Sequence, residues 1–509
     1  MGGGDVESGA GAGSGGSHVG AVLAALGVGV CPLCFGFTVG FTSPTLPAMT
    51  AEGGALTLSQ ASTFTAAASL GGSVGSVVGG RLADSHGRKR TLVLAMLPCL
   101  LGFLAVAGGR SYAQLVAGRL LCGVAIGAVS VAAPLYLAEV SPPTLRGALC
   151  SLMQLSIVLG LLLVYVLGYI LVPTHGWRFL AALGAALPAT FVLALAPLLP
   201  ESPAWLASSP HPDRVHGSLQ CLRGSCGGGA SAAAAVEAEA AALLRGAKAA
   251  QGKGAGGGQP QVGGAAQVLR TALPRALGGG GEGSGAARVA CAIMLLQQYS
   301  GINAVNMFAG TILADGGVDD PQEAAIWLAL THCVSTPICM LTSDRCGRRA
   351  LLGLSAAGMA LAASGLAFCT TAPPPPPAPP QCSGGTTVAL LVAYIFSFGI
   401  GVGPLPFVIV SEILPQRTRA AGQSLATCLN WLSAFTVRSS SAPSQWEGLT
   451  LGCCAQVTRS FEPLAAAVGE GRVFGCFAAL CGGLALFAYQ AVPETRGKSL
   501  AEIAAFFDS

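Results

Sequence analysis

Twelve long apolar segments follow one another along this chain, six on each side of residues 200–287. A helix of about 20 apolar residues crosses the ~30 Å hydrocarbon core of a bilayer, and each segment has about this length. The pattern therefore predicts an all-α membrane protein. Its twelve transmembrane helices are expected at 19–47, 60–80, 91–108, 113–138, 148–172, 178–199, 288–313, 323–342, 350–370, 386–411, 419–437 and 472–492.

The amino-acid composition also indicates a membrane protein. Hydrophobic residues make up 52% of the 509 residues and charged residues only 9%, whereas soluble domains carry about a quarter charged residues. The net charge of +4 gives no reason to expect a nucleic-acid partner. The 18 Cys residues show no metal-ligand spacing, and we expect Cys31 and Cys34 to be small buried hydrophobic groups. We therefore expect no metal and no cofactor.

The distribution of basic residues predicts the orientation of the chain. If both termini are cytosolic, 20 of the 26 Lys and Arg residues fall on the cytosolic side and five on the opposite side. The remaining one, Arg119, lies inside the predicted fourth helix. Cytosolic loops carry the excess of positive charge in membrane proteins, so this orientation is the expected one.

The segments also divide the chain into regions. Residues 1–18 are rich in Gly and Ser and are expected to form a disordered tail. The first six-helix bundle then covers 19–199, a cytosolic linker with one helix candidate at 232–245 covers 200–287, the second bundle covers 288–492, and a cytosolic tail covers 493–509.

One segment of the second half, residues 438–457, has neither a helical nor a strand period. Neither neighbouring helix needs it to reach the length of a span. Two explanations remain open: an elaborated outer loop, or an error in the gene model such as a retained intron. We therefore expect the segment to lie outside the bilayer, because Arg438, Trp446 and Glu447 would be costly in lipid, or to be absent from the true protein.

Polar side chains inside the predicted spans indicate a ligand site. At ~1.5 Å per residue from the cytosolic ends, Gln154, Gln297 and Asn430 lie about 12–15 Å deep, near the midplane. Gln298 and Asn303 share the helix of Gln297. An amide donates and accepts hydrogen bonds at once, as a sugar hydroxyl does. A single amide could equally hold two helices together, but for the converging set we favour a site for a hydroxyl-rich neutral ligand.

Six motifs follow one another along nearly the whole chain. They are GRLADSHGRKR at 80–90, PLYLAEVSPPTLRG at 134–147, PESPAWL at 200–206, QQYSGINAVNMF at 297–308, GPLPFVIVSEILPQRTRAAG at 403–422 and VPETRGKSL at 492–500. In these motifs the chain resembles the sugar transporters of the major facilitator superfamily, and among them the facilitative hexose carriers. This resemblance implies two pseudo-symmetric six-helix bundles that work by alternating access.

The resemblance also implies roles for single residues at the site. Phe407 stands where many family members have a Trp below the sugar, and His332 stands where the family has an amide. Gly399 occupies a place where some members carry a Glu. As a lone His, His332 is more often a packing residue, although it could bind substrate or titrate. The implied sugar-binding set is Gln154, Gln297, Gln298, Asn303, His332, Phe407, Asn430 and Trp431.

Charged residues at the cytosolic helix ends are expected to form a gate. Salt bridges between the bundle ends would favour the outward-open state, and their loss would free the inward-open state. The alternative is that these charges only set topology and cap helices. Gly403, Pro404 and Pro406 would allow the tenth helix to bend. The charge network comprises Asp84, Arg88, Arg119, Glu139, Arg146, Asp344, Arg348, Glu412 and Arg419.

The first helix bears on energy coupling. Proton-coupled relatives carry an acidic residue in a Phe-Gly-Tyr-Asp pattern, whereas this chain has Phe35-Gly36-Phe37-Thr38. Thr38 cannot titrate, so we expect a uniporter. The segment most resembles the branch of intracellular hexose, trehalose and plant vacuolar sugar carriers, which leaves the plasma membrane and a vacuolar or endosomal membrane open.

Other functions remain as alternatives. A proton-coupled symporter and a non-transporting sugar sensor would use the same scaffold. An enzyme is not expected, because the sequence shows no nucleophile–base set, phosphate loop or metal cluster. We expect a functional monomer whose partners are a monosaccharide or small neutral sugar and the lipid bilayer, with no nucleic acid.

Overall fold

The structure is a computed structural model, and its described part is almost entirely helical. It holds seventeen α-helices and no strand within the described residues. Residues 1–17 of the tail expected at 1–18, the proline-rich segment at 373–380 and most of the segment at 438–457 lie outside them. The described residues are 18–51, 55–142, 145–223, 230–252, 284–303, 305–306, 320–370, 382, 384–414, 419–438, 470–496, 498, 502 and 506–507.

The first half of the chain supplies seven helices. They are α1 (Val19–Gly40), α2 (Thr42–Thr50), α3 (Leu58–His86), α4 (Arg88–Ala107), α5 (Tyr112–Val140), α6 (Arg146–His175) and α7 (Trp177–Thr190). A π-turn at Phe191–Leu195 and a 3₁₀-turn at Ala196–Leu198 extend α7. Together, α1 and α2 form one span, so these seven helices occupy the six positions predicted from the apolar segments.

The second half also matches the predicted order. Its helices are α11 (Ser284–Tyr299), α12 (Pro321–Cys346), α13 (Arg348–Cys369), α14 (Gly384–Ile400), α15 (Leu405–Ile413), α16 (Arg419–Arg438) and α17 (Glu470–Ala491). Four residues, 401–404, separate α14 from α15, as the Gly and Pro residues there predicted. Among the described residues, nine spans are long and apolar enough to cross a membrane, and α3, α11 and α16 occupy the other three predicted positions.

The charged segment at 81–90 is more helical than expected. The predicted spans end at residue 80 and begin again at residue 91, but α3 continues to His86 and α4 begins at Arg88. Gly87 alone separates the two helices, with a φ of 94° that disfavours any residue with a Cβ. Gly347 repeats the arrangement between α12 and α13, with a φ of 90°. Both reversals lie on the same side of the molecule, which we call the basic face.

A glutamate caps the N-terminus of the helix that follows each of these reversals. The Glu201 carboxylate accepts hydrogen bonds from the backbone N–H groups of Arg88, at 2.9 Å, and Lys89, at 3.0 Å. In the second half the Glu494 carboxylate accepts from the N–H groups of Arg348, at 3.0 Å, and Arg349, at 3.2 Å. The first N–H groups of a helix have no partner of their own, and the helix dipole favours a negative charge there. Each glutamate therefore stabilises the N-terminus of a span.

Close backbone contacts hold the helices of the first half together. A Cβ on Gly75 of α3 would lie 2.0 Å from the carbonyl oxygen of Val124 on α5. A Cβ on Gly127 would lie 2.1 Å from the carbonyl oxygen of Gly72. Since lipid supplies no hydrophobic force between helices, such small-residue seams give the van der Waals contact that holds membrane helices together.

Each half has its own hydrophobic core, and two helix pairs provide most of the contact between the halves. The first core draws mainly on α1 and α3–α7, and the second on α11–α17. Across the division, α16 packs along α3 and α12 packs along α6. Ser424 of α16 donates a hydrogen bond of 2.8 Å to the carbonyl oxygen of Ser76 on α3.

The segment after residue 200 is more structured than the predicted tether. It forms α8 (Pro203–Ser208), α9 (Val215–Arg223) and α10 (Ala230–Gly252), and α10 contains the predicted candidate at 232–245. These helices share a small apolar cluster. Arg223 pairs with Glu239 at 3.3 Å and donates to the Val140 carbonyl oxygen at 2.8 Å, which fastens the cluster to the end of α5.

A disulfide joins the ends of α13 and α14 on the face opposite the basic face. It links Cys369 to Cys382, whose Cα atoms are 5.3 Å apart. The sequence did not predict this cross-link. Cys31 and Cys34, by contrast, are free and buried, as expected.

The paired glutamates predict matched effects on stability. Glu201→Ala and Glu494→Ala should each lower the free energy of unfolding by about 1–3 kcal/mol, because two backbone N–H groups lose a charged acceptor. Thermal unfolding of the purified protein in detergent would measure this. Glu237→Ala is the control, since the Glu237 side chain is 72% exposed. Equal melting temperatures for all three variants would contradict the capping role.

Candidate functional site

A cavity of about 780 Å³, in part open to solvent, lies between the two halves. Residues of α1 and α6 from the first half line it, together with residues of α11, α12, α14, α15 and α16 from the second. All eight side chains of the predicted sugar-binding set line this one cavity: Gln154, Gln297, Gln298, Asn303, His332, Phe407, Asn430 and Trp431.

Four of the amides form a continuous hydrogen-bonded chain. Asn303 donates to the side-chain oxygen of Gln298, and Gln298 donates to the side-chain oxygen of Asn430 at 2.8 Å. Asn430 donates to the side-chain oxygen of Gln297 at 3.1 Å and to the Met294 carbonyl oxygen at 3.0 Å. This chain of hydrogen bonds runs from α11 to α16, so it holds the two helices together and fixes the orientation of their amides.

The end of this chain meets the break between α14 and α15. Gln297 donates to the carbonyl oxygens of Val402, at 2.9 Å, and Gly403, at 3.1 Å. The interrupted helix exposes these carbonyls, which have no partner one turn further along. The amide chain therefore depends on the same Gly and Pro residues that interrupt the tenth span.

Gln154 faces the amide chain from the other half. It lies on α6 and lines the cavity, but its amide makes no hydrogen bond within the described part of the chain. A group that donates and accepts, placed opposite a row of amides, suits a ligand with several hydroxyl groups between them.

His332 contributes an unpartnered ring. It is 4% exposed, and neither ring nitrogen has a hydrogen-bond partner in the described part of the chain. Its ring packs edge-on against Phe398, with centroids 5.4 Å apart. A Cβ on Gly399 would lie 1.8 Å from the Ser335 hydroxyl and 3.1 Å from the His332 ring. A larger side chain at position 399 therefore has no room beside His332.

Two aromatic residues bound the cavity. Trp431 packs against Phe35 of α1, with ring centroids 5.4 Å apart, and a Cβ on Gly72 would lie 2.5 Å from its indole. Phe407 and Gln154 line both this cavity and a smaller one of about 370 Å³ nearer the basic face. Phe407 thus stands on the boundary between the two cavities.

The sequence interpretation omitted several lining residues. Asn306 lies three residues after Asn303 and lines the cavity with it, a spacing that places both on one helix face. This spacing could have identified Asn306. Phe35, Val39 and Phe398 also line the cavity, but apolar residues in apolar helices give no comparable signal.

Arg119 lies fully buried in the first half. One guanidinium nitrogen donates to the Thr38 carbonyl oxygen at 2.9 Å. The guanidinium carbon lies 5.3 Å from the Phe64 ring centroid and 5.8 Å from that of Phe41, distances at which cation–π attraction operates. Within the described residues no carboxylate lies within 4.0 Å of it. Arg119 therefore faces a carbonyl at residue 38.

The gate charges form pairs within each half. Arg88 pairs with Glu139 at 2.9 Å and lies 3.8 Å from Asp84, and Arg348 pairs with Glu412 at 3.7 Å. The Ser202 hydroxyl donates to the other oxygen of Glu139. The side chains of Arg146, Asp344 and Arg419 lie outside the described part. The expectation that charges bridge the two halves therefore stays a prediction.

Comparison with other sequences gives relatives along almost the full length. The Arabidopsis thaliana sugar transporter ERD6-like 6 is 30% identical over 494 residues, 96% of this chain and 91% of that protein. The mouse facilitated glucose transporter member 8 of solute carrier family 2 is 30% identical, with coverage of 96% and 94%. The Bombyx mori facilitated trehalose transporter Tret1 is 32% identical, with coverage of 95% and 86%.

Solved structures share the fold. The proton:xylose symporter XylE, a major facilitator superfamily protein, matches with a TM-score of 0.73 at 23% identity, over 96% of this chain and 99% of that one. The inward-open xylose transporter XylE from E. coli matches with a TM-score of 0.67 at 22% identity, over 95% and 98%. The family model described as "Sugar (and other) transporter" matches residues 24–507. The chain therefore belongs to the sugar transporter family.

Proposed function

We propose that this protein is a facilitative transporter of a monosaccharide or small neutral sugar. The observation that carries the proposal is the amide chain of Gln297, Gln298, Asn303 and Asn430, which lines a cavity between the halves opposite Gln154. The cavity offers paired donors and acceptors without a charged side chain among its lining residues. A hydroxyl-rich neutral ligand matches both properties. The chain is a transporter and not an enzyme.

Alternating access follows from the division of contacts. Each half has its own core, and the halves meet along α3–α16 and α6–α12. Rocking about these contacts would open the cavity to one face at a time, while the amide site stays at the repeat interface. Phe407, on the boundary with the smaller cavity, would move aside when the site opens to the basic face.

The surroundings of residue 38 fit a uniporter. Thr38 presents a carbonyl to Arg119 and donates its hydroxyl to the Cys34 carbonyl oxygen at 2.8 Å, so it has no proton to exchange near neutral pH. His332 is the titratable side chain in the cavity lining, and it supports proton-coupled symport as the alternative.

Orientation is part of the proposal. The basic face would be cytosolic, with both termini on that side. The Cys369–Cys382 disulfide then lies on the opposite side, where a secretory compartment or the cell exterior is oxidising. This placement fits the plasma membrane or a vacuolar or endosomal membrane. The two separate cores and the site within one chain support a functional monomer, and no nucleic-acid partner is proposed.

Loss of one central amide should impair transport. Gln297→Ala removes the donor to Val402 and Gly403 and the acceptor for Asn430, so sugar flux in proteoliposomes should fall at least about fivefold. Gln322→Ala, an exposed amide in the first turn of α12, is the control and should transport normally. Normal flux and affinity in correctly inserted Gln297→Ala would refute the site. Binding without flux in the wild type would instead indicate a sugar sensor.

Transport should equilibrate sugar without concentrating it. In proteoliposomes loaded with equal sugar on both sides, an inward proton gradient should cause no net accumulation, because residue 38 offers no exchangeable proton. Labelled-sugar uptake with and without a protonophore would measure this. Protonophore-sensitive accumulation would favour symport, and its loss in His332→Gln would assign the proton to His332.

The disulfide gives a direct test of sidedness. In intact cells or sealed organelles, Cys369 and Cys382 should resist a thiol-reactive polyethylene glycol until a reductant is added. A gel shift of a variant that retains only these two cysteines would report the modification. Labelling without a reductant would contradict the cross-link and remove its support for the proposed orientation.

A further inference from the structure

Two buried polar side chains on α16 lack any hydrogen-bond partner within the described residues. Gln423 is 1% exposed, and both its amide oxygen and its amide nitrogen are unpaired. Thr427, one turn further along, is fully buried, and its hydroxyl oxygen is unpaired. Most buried threonines and serines in spans donate to a carbonyl one turn back, as Thr38 and Ser433 do here. Thr427 makes no such bond.

Their position on the helix relates them to the amide chain. At about 100° per residue, Gln423 lies about 20° and Thr427 about 60° around the helix from Asn430. Asn430 faces α11 through the Met294 carbonyl oxygen, and Ser424 faces α3 through Ser76. Gln423 and Thr427 therefore lie on the arc between α11 of one half and α3 of the other.

Their depth places them on the way to the basic face. Thr427 precedes Asn430 by three residues and Gln423 by seven, so they lie about 4.5 Å and 10 Å nearer the end of α16 that begins at Arg419. The three side chains thus form a polar row that continues the amide chain towards one membrane surface. Trp431 packs on Gly72 at the inner end of the same seam.

Unpaired buried polar groups are costly, and native proteins rarely keep them without a use. The seam between α3 and α16 joins the halves, so it must part near the basic face when the site opens there. Parting would expose Gln423 and Thr427 beside the exit path. An amide and a hydroxyl one turn apart can then pair with neighbouring hydroxyl groups of a sugar.

We propose that Gln423 and Thr427 form a second sugar-binding station, used when the transporter is open to the basic face. The sugar would pass from the amide chain to this station before release, and would meet it first when entering from that side. This inference rests on the proposed sugar transport, and it adds a subsite that the closed seam conceals.

Sided kinetics would test the station. In oriented vesicles, Gln423→Leu and Thr427→Val should each raise the KM for sugar presented at the basic face at least about fivefold, since a sugar hydroxyl loses its partner. The KM for sugar presented at the opposite face should stay within about twofold, because the amide chain is untouched. Thr427→Ser keeps the hydroxyl and should restore the wild-type values.

Controls distinguish sugar binding by Gln423 and Thr427 from a purely structural role of these residues. Thr331→Val removes an exposed hydroxyl that donates to the Trp327 carbonyl oxygen, and it should alter neither KM. Removing an unpaired buried group should also raise the melting temperature in the absence of sugar. A higher melting temperature with both KM values unchanged would overturn the station.

Transport by the wild-type protein distinguishes a failure of the proposed function from a failure of the second sugar-binding station. If wild-type vesicles transport no sugar from either face, the proposed function fails. If they transport sugar and the variants show no sided change in KM, only the station fails. Poor folding of Gln423→Leu would leave Thr427→Val and its Thr427→Ser control to decide.

Discussion

The pairing of the cavity amides with one another is the interaction on which the candidate site depends. Lipid offers no hydrogen-bond partner, so an amide on a membrane helix bonds to protein groups, to a ligand or to water in a cavity. Gln297, Gln298, Asn303 and Asn430 solve this by bonding in sequence. A sugar bound at the proposed site would exchange amide–amide bonds for amide–hydroxyl bonds. Such an exchange has a small net free energy, which suits a carrier that must release what it binds.

The same constraint shapes the rest of each half. The break after α14 leaves carbonyl oxygens of residues 402 and 403 for Gln297, and Glu201 and Glu494 supply acceptors for the first N–H groups of α4 and α13. These contacts lie within one half, as do the described ion pairs of Arg88 and Arg348. Movement of one half against the other would leave these contacts intact, whereas the hydrogen bond from Ser424 to the Ser76 carbonyl oxygen crosses the division.

Much of this arrangement could be predicted from the sequence, for a physical reason. Lipid requires each span to be long, apolar and helical, so the number and order of the spans follow from the pattern of apolar segments. A polar residue such as Gln297 is conspicuous among them. The eight predicted contact residues do line one cavity. The disulfide and the roles of Glu201 and Glu494 were not predicted, because they join positions whose proximity only the folded chain creates.

Polar side chains without a hydrogen-bond partner among the described residues also indicate where a ligand can bind. Gln154 and His332 have free polar groups within the described residues, and both line the cavity, where a ligand can reach them. Arg119 is different: it is fully buried, faces a carbonyl and two aromatic rings, and lies apart from the cavity lining. Its charge is stabilised by oriented dipoles and ring quadrupoles, without a carboxylate within reach among the described residues. A buried cation held this way needs no carboxylate among the described residues to stabilise its charge, and this arrangement fits the proposed uniport.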